Sequence, residues 1–187
     1  MDIALYGGSF NPVHYGHIEV VEKGSTKVDE MWLIPSGKHP WDKDMISGTH
    51  RMNMLELAVE HIYNARISDI ELKKDSKTYT ANTIRELREK YSHNFCWVIG
   101  SDNLDTLDAW DEFEYLRDSV DFIVAQRPGT GITDDKGVNI RDVLEVYSDA
   151  SSTEVRDRIR EGKSIDDIVP KSVNNYIQNN RLYSNQR

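Results

Sequence analysis

The chain has one cysteine, Cys96, in 187 residues, which excludes an internal disulfide and fits a reducing compartment. Its apolar runs are short, and none approaches the ~20 residues of a membrane-spanning helix, so no membrane partner is expected. Basic residues are in deficit: 23 Lys and Arg stand against 32 Asp and Glu, a net charge of −9. That balance argues against a nucleic-acid partner, which needs clustered Lys and Arg. It leaves room for a local phosphate site, because net charge describes the whole surface. Internal repeats, low-complexity tracts and linkers are also missing. Met1 leads straight into the first apolar run without the basic segment and apolar core of a secretory signal, so the expected location is cytoplasmic. What is left is the composition of a globular protein, 38% apolar and 29% charged. Its length suits one domain spanning residues 1–187, and a homo-oligomer is left open.

Short apolar runs alternate with helical periodicity. Strands are expected at Ile3–Leu5, Met31–Ile34, Phe95–Ile99, Phe122–Ala125 and Val143–Tyr147, with a half-exposed strand at Ile67–Leu72 where apolar and polar residues alternate. Helices are expected over His17–Glu22, His50–Tyr63 and Thr80–Tyr91, with two short ones in Asp102–Leu116. Two more close the C-terminal part, 151–187. The first opens on the capping-box pattern Ser151-x-x-Glu154, and Pro170 stands near the start of the second. Polar Pro35–Gly48 reads as a loop over the site and Arg127–Val138 as an exposed loop. Strands alternating with helices predict an α/β fold, a doubly wound, mostly parallel Rossmann-like sheet with helices on both faces. Such sheets bind ligands at the carboxyl ends of their strands. Gly7-Gly8, Pro35, Gly100 and Arg127-Pro128 all fall at those ends.

The strongest local signal is Gly7-Gly8-Ser9-Phe10-Asn11-Pro12-Val13-His14-Tyr15-Gly16-His17. A strand, a glycine turn and a helix start bring backbone N–H groups up to a phosphate. Imidazoles at i and i+3 share one face of a helical turn, and Gly16 removes a side chain that would crowd them. Metal ligation by the two histidines is the other reading; it needs a third ligand, and no His or Cys stands at metal-like spacing. Far along the chain, Ser151-Ser152-Thr153-Glu154-Val155-Arg156 places hydroxyls, N–H groups and a guanidinium at a helix start, where the dipole favours anions. Alone it could be an ordinary N-cap with a solvated Arg.

These two segments resemble the (T/H)xGH and SSTxxR signatures of the nucleotidyltransferase superfamily. Between them, Thr78–Thr83 (TYTANT), Ile99–Trp110 (IGSDNLDTLDAW) and Gln126–Gly129 (QRPG) resemble the bacterial nicotinate-nucleotide adenylyltransferases, as does the ending Ile168–Tyr183. The resemblance covers nearly the whole chain. It implies transfer of AMP from ATP, with Mg²⁺, to nicotinate or nicotinamide mononucleotide, releasing pyrophosphate in NAD biosynthesis. It also implies residue roles. His17 contacts the α-phosphate and His14 the outer phosphates, with Arg156, Ser152 and Thr153 on the β- and γ-phosphates. Gly7, Gly8, Ser9 and Phe10 allow close backbone approach, and Asp102 after Gly100 takes a ribose hydroxyl, though it could equally cap a helix. On the mononucleotide side stand Thr80, Trp110, Lys43 and Arg127; Trp110 could also be core. The family's P-P-H-K loop is altered here to His39-Pro40-Trp41-Asp42-Lys43, Thr106 stands where an aromatic residue is common, and Asn11 where Asp is common. Phosphopantetheine adenylyltransferase and a non-catalytic nucleotide sensor on the same fold are the competing readings.

Overall fold

Apolar runs buried on both sides pair as parallel strands with helices on each face, and four such strands, flanked by a half-exposed strand at each edge, build the six-stranded sheet of this molecule. The computed structural model describes residues 1–37 and 45–184. Its elements are β1 (Asp2–Gly8), α1 (Tyr15–Gly24), β2 (Glu30–Pro35), α2 (Gly48–Val59), β3 (Ala65–Ile67), α3 (Thr80–Lys90) and β4 (Asn94–Gly100). There follow α4 (Ser101–Leu104), α5 (Phe113–Ser119), β5 (Asp121–Gln126), β6 (Asn139–Glu145), α6 (Ser152–Arg160) and α7 (Lys171–Asn179). The sheet is parallel throughout, in the order β3-β2-β1-β4-β5-β6.

The pleat sends alternate residues to two cores. Ala4, Cys96, Val98 and Ile123 pack with Val21 of α1, Met54 of α2, Val155 of α6 and Val173 of α7. Ile3, Leu5, Trp97, Ile99 and Val124 pack with Ile84 and Leu87 of α3, Leu104 of α4 and Leu116 of α5. This is the expected doubly wound architecture. Sequential strands run outward from β1 on one side and from β4 on the other, so the order reverses between these two neighbours. Helices leaving their carboxyl ends go to opposite faces and open a crevice above the sheet.

Several boundaries differ from expectation. The strand expected at Ile67–Leu72 stops at Ile67, where the chain turns through the bonds Lys73 N–H to Asp69 and Lys74 N–H to Glu71; the alternation reflects burial of Ile70 and Glu71 beneath that turn. β6 begins four residues before Val143, because the edge strand carries polar residues that mask it. A turn of 3-10 helix, Leu107–Ala109, stands between α4 and α5, so Asp102–Leu116 holds three short pieces rather than two. The helix expected to Tyr63 ends at Val59. Cys96 is buried, its Sγ 3.7 Å from the Ile3 carbonyl, and burial pushes its thiol up to about 11, which suits packing. Among the described residues no helix is long and apolar enough to cross a membrane.

Candidate active site

A cleft of about 1060 Å³ opens at the carboxyl ends of β1, β4 and β5. Its lining brings together Gly7, Gly8, Ser9, His14, His17, Gly100, Asp102, Thr80, Trp110 and Arg127, drawn from opposite ends of the sequence. One side is the β1–α1 turn with its two histidines. The other is the Lys77–Thr80 approach to α3 and the segment at Trp110, on the opposite face of the sheet.

His14 is the N-cap of α1, and its Nδ1 accepts the Gly16 N–H at 3.2 Å. That bond leaves the proton of the neutral ring on Nε2. The two imidazoles stack at 3.7 Å, with an interplanar angle of 29°. A Cβ at residue 16 would stand 3.1 Å from the His14 ring, so glycine keeps the pair intact. Burial holds His14 down to about 4. Burial, then the neighbouring His14, hold His17 well below the usual imidazole value. Both rings are therefore neutral near pH 7. The His17 Nδ1 is enclosed with no hydrogen-bond partner, an unmet group at the floor of a polar cleft.

The depressed His14 sets a pH dependence. Above its ordinary value of 6.5 folded and unfolded rings are both neutral. As pH falls from there toward about 4, the unfolded chain binds a proton that the folded one refuses, and stability is lost by up to about 3 kcal/mol. His14→Asn, which keeps an N-cap acceptor, should flatten the fall in urea midpoint over that window; an unchanged acid limb would contradict the assignment.

The glycines of the turn have a local reason. A Cβ on Gly7 would stand 2.5 Å from Trp97, and one on Gly8 3.1 Å from Phe10, so the expected freedom for a phosphate begins as room for two aromatic rings. Phe10 adopts a left-handed backbone, φ 47°, unusual for a bulky residue. Burial holds it there, its ring 4.9 Å from His17 and 5.4 Å from Tyr6. Its side chain lies beneath the turn rather than in the cleft. Tyr6 lines the cleft, and burial followed by the Asp102 charge pushes its phenol up, keeping it a hydrogen-bond donor.

The two signatures meet. Ser151 caps α6 by accepting the Glu154 N–H at 3.1 Å, as the capping-box pattern predicts. Ser152 Oγ donates to the Pro12 carbonyl at 2.8 Å, and Arg156 Nη1 to the Asn11 carbonyl at 2.8 Å. Arg156 Nη2 reaches Thr153 Oγ1 at 3.3 Å, while its Nε is buried with no partner. Ser152 and Arg156 thus grip the back of the turn, with Thr153 bonded to Arg156; none of the three lines the cleft, whose wall on this side is formed by Ser148 and Ala150.

On the facing side Thr80 begins α3 and Trp110 follows the 3-10 turn, half-buried on the second core while lining the cleft. Asp102 lies in the first turn of α4 behind Gly100, which is its N-cap; its Oδ1 would be 2.5 Å from a Cβ at residue 100. Arg127 stands exposed on the rim, paired with Asp149 at 2.6 Å. Lys43 and the rest of the altered loop, 38–44, lie outside the described residues. The described residues contain no group of three His, Cys, Asp or Glu that could hold a metal ion. Residues that the motif reading did not single out include Glu71, buried and accepting Thr78 Oγ1 at 2.7 Å and Thr83 Oγ1 at 2.8 Å. It anchors the segment that carries Thr80. Arg51 and Lys77 were likewise missed; an Arg on an amphipathic helix and a Lys in a polar stretch give no signal of the cleft beside them.

Comparison with known proteins agrees with this geometry. The cytidylyltransferase-like family model matches residues 5–158, spanning both signatures. A protein of Oceanobacillus iheyensis, named a probable nicotinate-nucleotide adenylyltransferase, is 33% identical over 97% of this chain and 96% of its own. The Plasmodium falciparum nicotinic acid mononucleotide adenylyltransferase shares the fold in two structures. Its complex with NaAD superposes with a TM-score of 0.82 at 24% identity, covering 97% of each chain. Its complex with APC gives 0.81 at 23%, covering 97% of this chain and 96% of that one. The chain belongs to the cytidylyltransferase-like family and, within it, to the nicotinate-nucleotide adenylyltransferases.

Proposed function

We propose that this enzyme transfers AMP from ATP to nicotinate mononucleotide, releasing pyrophosphate, as a step in NAD synthesis. The observation that carries the reading is the single cleft in which the stacked His14–His17 pair faces Thr80 and Trp110 across the β1–β4 switch point. A phosphate oxygen of the mononucleotide attacks the α-phosphorus of ATP; the bond from that phosphorus to the β-bridging oxygen breaks, and pyrophosphate leaves. No bond to the protein forms, so the rate comes from alignment and charge stabilisation.

His17 serves the α-phosphate and His14, through its Nε2–H, the outer phosphates. Burial keeps both rings neutral near pH 7, and a bound polyphosphate draws protons onto them by favouring the charged form. The backbone of Gly7 to Phe10 approaches the phosphates. The unpartnered Nε of Arg156 supports a role for it, with Ser152 and Thr153, on the β- and γ-phosphates. Asp102, beside Gly100, takes a ribose hydroxyl, while Thr80 and the Trp110 indole hold the pyridine ring. Lys43 and Arg127 supply cations toward the anionic acceptor. Mg²⁺ enters as part of the substrate MgATP, a site built mainly from phosphate oxygens as this ion prefers.

The test supplies MgATP with nicotinate mononucleotide, nicotinamide mononucleotide or phosphopantetheine and measures pyrophosphate. Release with nicotinate mononucleotide is expected. Release with phosphopantetheine alone would move the assignment to that acceptor, and release with none would leave a nucleotide sensor.

A further inference from the structure

Arg51, on the first turns of α2, is only 2% exposed. A buried guanidinium is costly unless its donors are used. Here Nη1 donates to the Ser9 carbonyl at 2.7 Å, Nη2 to the Ser36 carbonyl at 2.7 Å, and Nε to the Ile46 carbonyl at 3.3 Å. The three acceptors belong to three separate segments: the turn after β1, the chain leaving β2, and the approach to α2. Ser9 and Ser36 both line the cleft. One rigid, planar group therefore ties together two loops that border the same cleft.

Peptide planarity extends the effect by one residue. In a trans peptide the carbonyl and the next N–H point in opposite directions, so turning the Ser9 and Ser36 carbonyls toward Arg51 turns the Phe10 and Gly37 N–H groups away from it. Asn11 adds a second tie in the same place. Its Oδ1 accepts the Ile46 N–H at 3.3 Å and the Tyr183 hydroxyl at 2.9 Å. The Ser36 N–H also donates to the Gly8 carbonyl at 2.8 Å and holds the preceding peptides, so relaxing Arg51 would release the Ser9 and Ser36 carbonyls themselves, which no other described side chain bonds together.

We infer that Arg51 is a positioning residue for nucleotidyl transfer: without lining the cleft, it sets the spacing and peptide orientation of the two loops between which the reacting groups are held. The inference rests on the adenylyl-transfer reading above. A fork that satisfies carbonyls in different segments cannot be replaced by a point charge, and a small displacement of aligned reactants is costly in rate.

The experiment compares wild type, Arg51→Lys and Arg51→Ala, all assayed below their melting temperatures and counted as folded molecules by near-UV circular dichroism. The expected result is a fall in kcat of roughly 30- to 100-fold in both variants with KM for ATP within about threefold. Added guanidinium should restore part of kcat to Arg51→Ala and none to Arg51→Lys, whose ammonium blocks the space. An unchanged kcat per folded molecule, or a rise in KM alone, would overturn the inference. Hydrogen exchange reads the same claim without turnover. Arg51→Lys should lose amide protection in the Gly8–Asn11 and Ser36–Gly37 segments together while β4 keeps it; protection retained in either segment overturns the inference. If wild type releases no pyrophosphate, the function reading has failed, and hydrogen exchange still decides the role of Arg51 in setting the loops.

Discussion

His17→Ala is expected to lower kcat by roughly 100- to 1000-fold while ATP affinity changes by less than about tenfold. The reason lies in where the ring sits. It stacks on His14 at 3.7 Å and is wedged against the Phe10 ring at 4.9 Å, so it is rigid before substrate arrives. A rigid group held for the charge that develops at the reacting phosphorus acts mainly in the transition state, and its loss appears in kcat rather than in binding. Single-turnover rates with saturating ATP, beside affinity for a non-hydrolysable analogue, separate the two. A nucleotide sensor predicts the reverse pattern: weaker analogue binding and no turnover to lose, even in wild type.

The second large effect is expected at Arg156. Its Nη1 bond to the Asn11 carbonyl at 2.8 Å joins α6 to the catalytic turn, and its Nε is a buried donor without a partner. Arg156→Ala removes a charge-assisted bond to the turn together with the cation proposed for the polyphosphate. At ~1.5–3 kcal/mol for a bond of that kind, kcat/KM for ATP should fall by about 10- to 100-fold. Arg156→Lys should recover little, since an ammonium cannot serve Asn11, Thr153 and a phosphate from one planar fork. Full activity in the Lys variant would mean that Arg156 contributes only a solvated charge. Ser152→Ala, which loses the bond to the Pro12 carbonyl, should be milder.

The architecture was legible wherever burial dictates residue type. Ile3–Leu5, Met31–Ile34 and Phe95–Ile99 are apolar throughout because both faces of a central parallel strand are covered. The glycine stops after β1 and β4 and Pro35 at the end of β2 marked the carboxyl edge where the cleft lies, whereas the reversal of order between β1 and β4 is seen only in the sheet itself. The half-exposed segments misled. Ile67–Leu72 shows strand-like alternation, yet its buried Ile70 and Glu71 belong to a turn beside the cleft. β6 is an edge strand whose Arg141 and Asp142 make ion pairs with Asp2 and Lys27, so the strand was expected only over Val143–Tyr147 while it runs over Asn139–Glu145.

Within the site, the residues proposed to meet phosphate were visible as motifs, because glycine, histidine and hydroxyl residues in fixed spacing carry a local signature. The residues that hold those motifs in place were not. Arg51 and Glu71 act through bonds to distant carbonyls and hydroxyls, and such long-range satisfaction of buried polar groups leaves no periodic trace. In sequence Arg51 looks like any charged residue on an amphipathic helix. Only the fold shows its guanidinium enclosed by three chain segments.

The central claim is attack at the α-phosphorus by the acceptor phosphate, and the fate of a label tests it most directly. With ATP radiolabelled at the α-phosphorus and nicotinate mononucleotide as acceptor, the label should appear in the dinucleotide product, one equivalent for each pyrophosphate released. Label released as free AMP, or recovered only in unreacted ATP, would contradict the account.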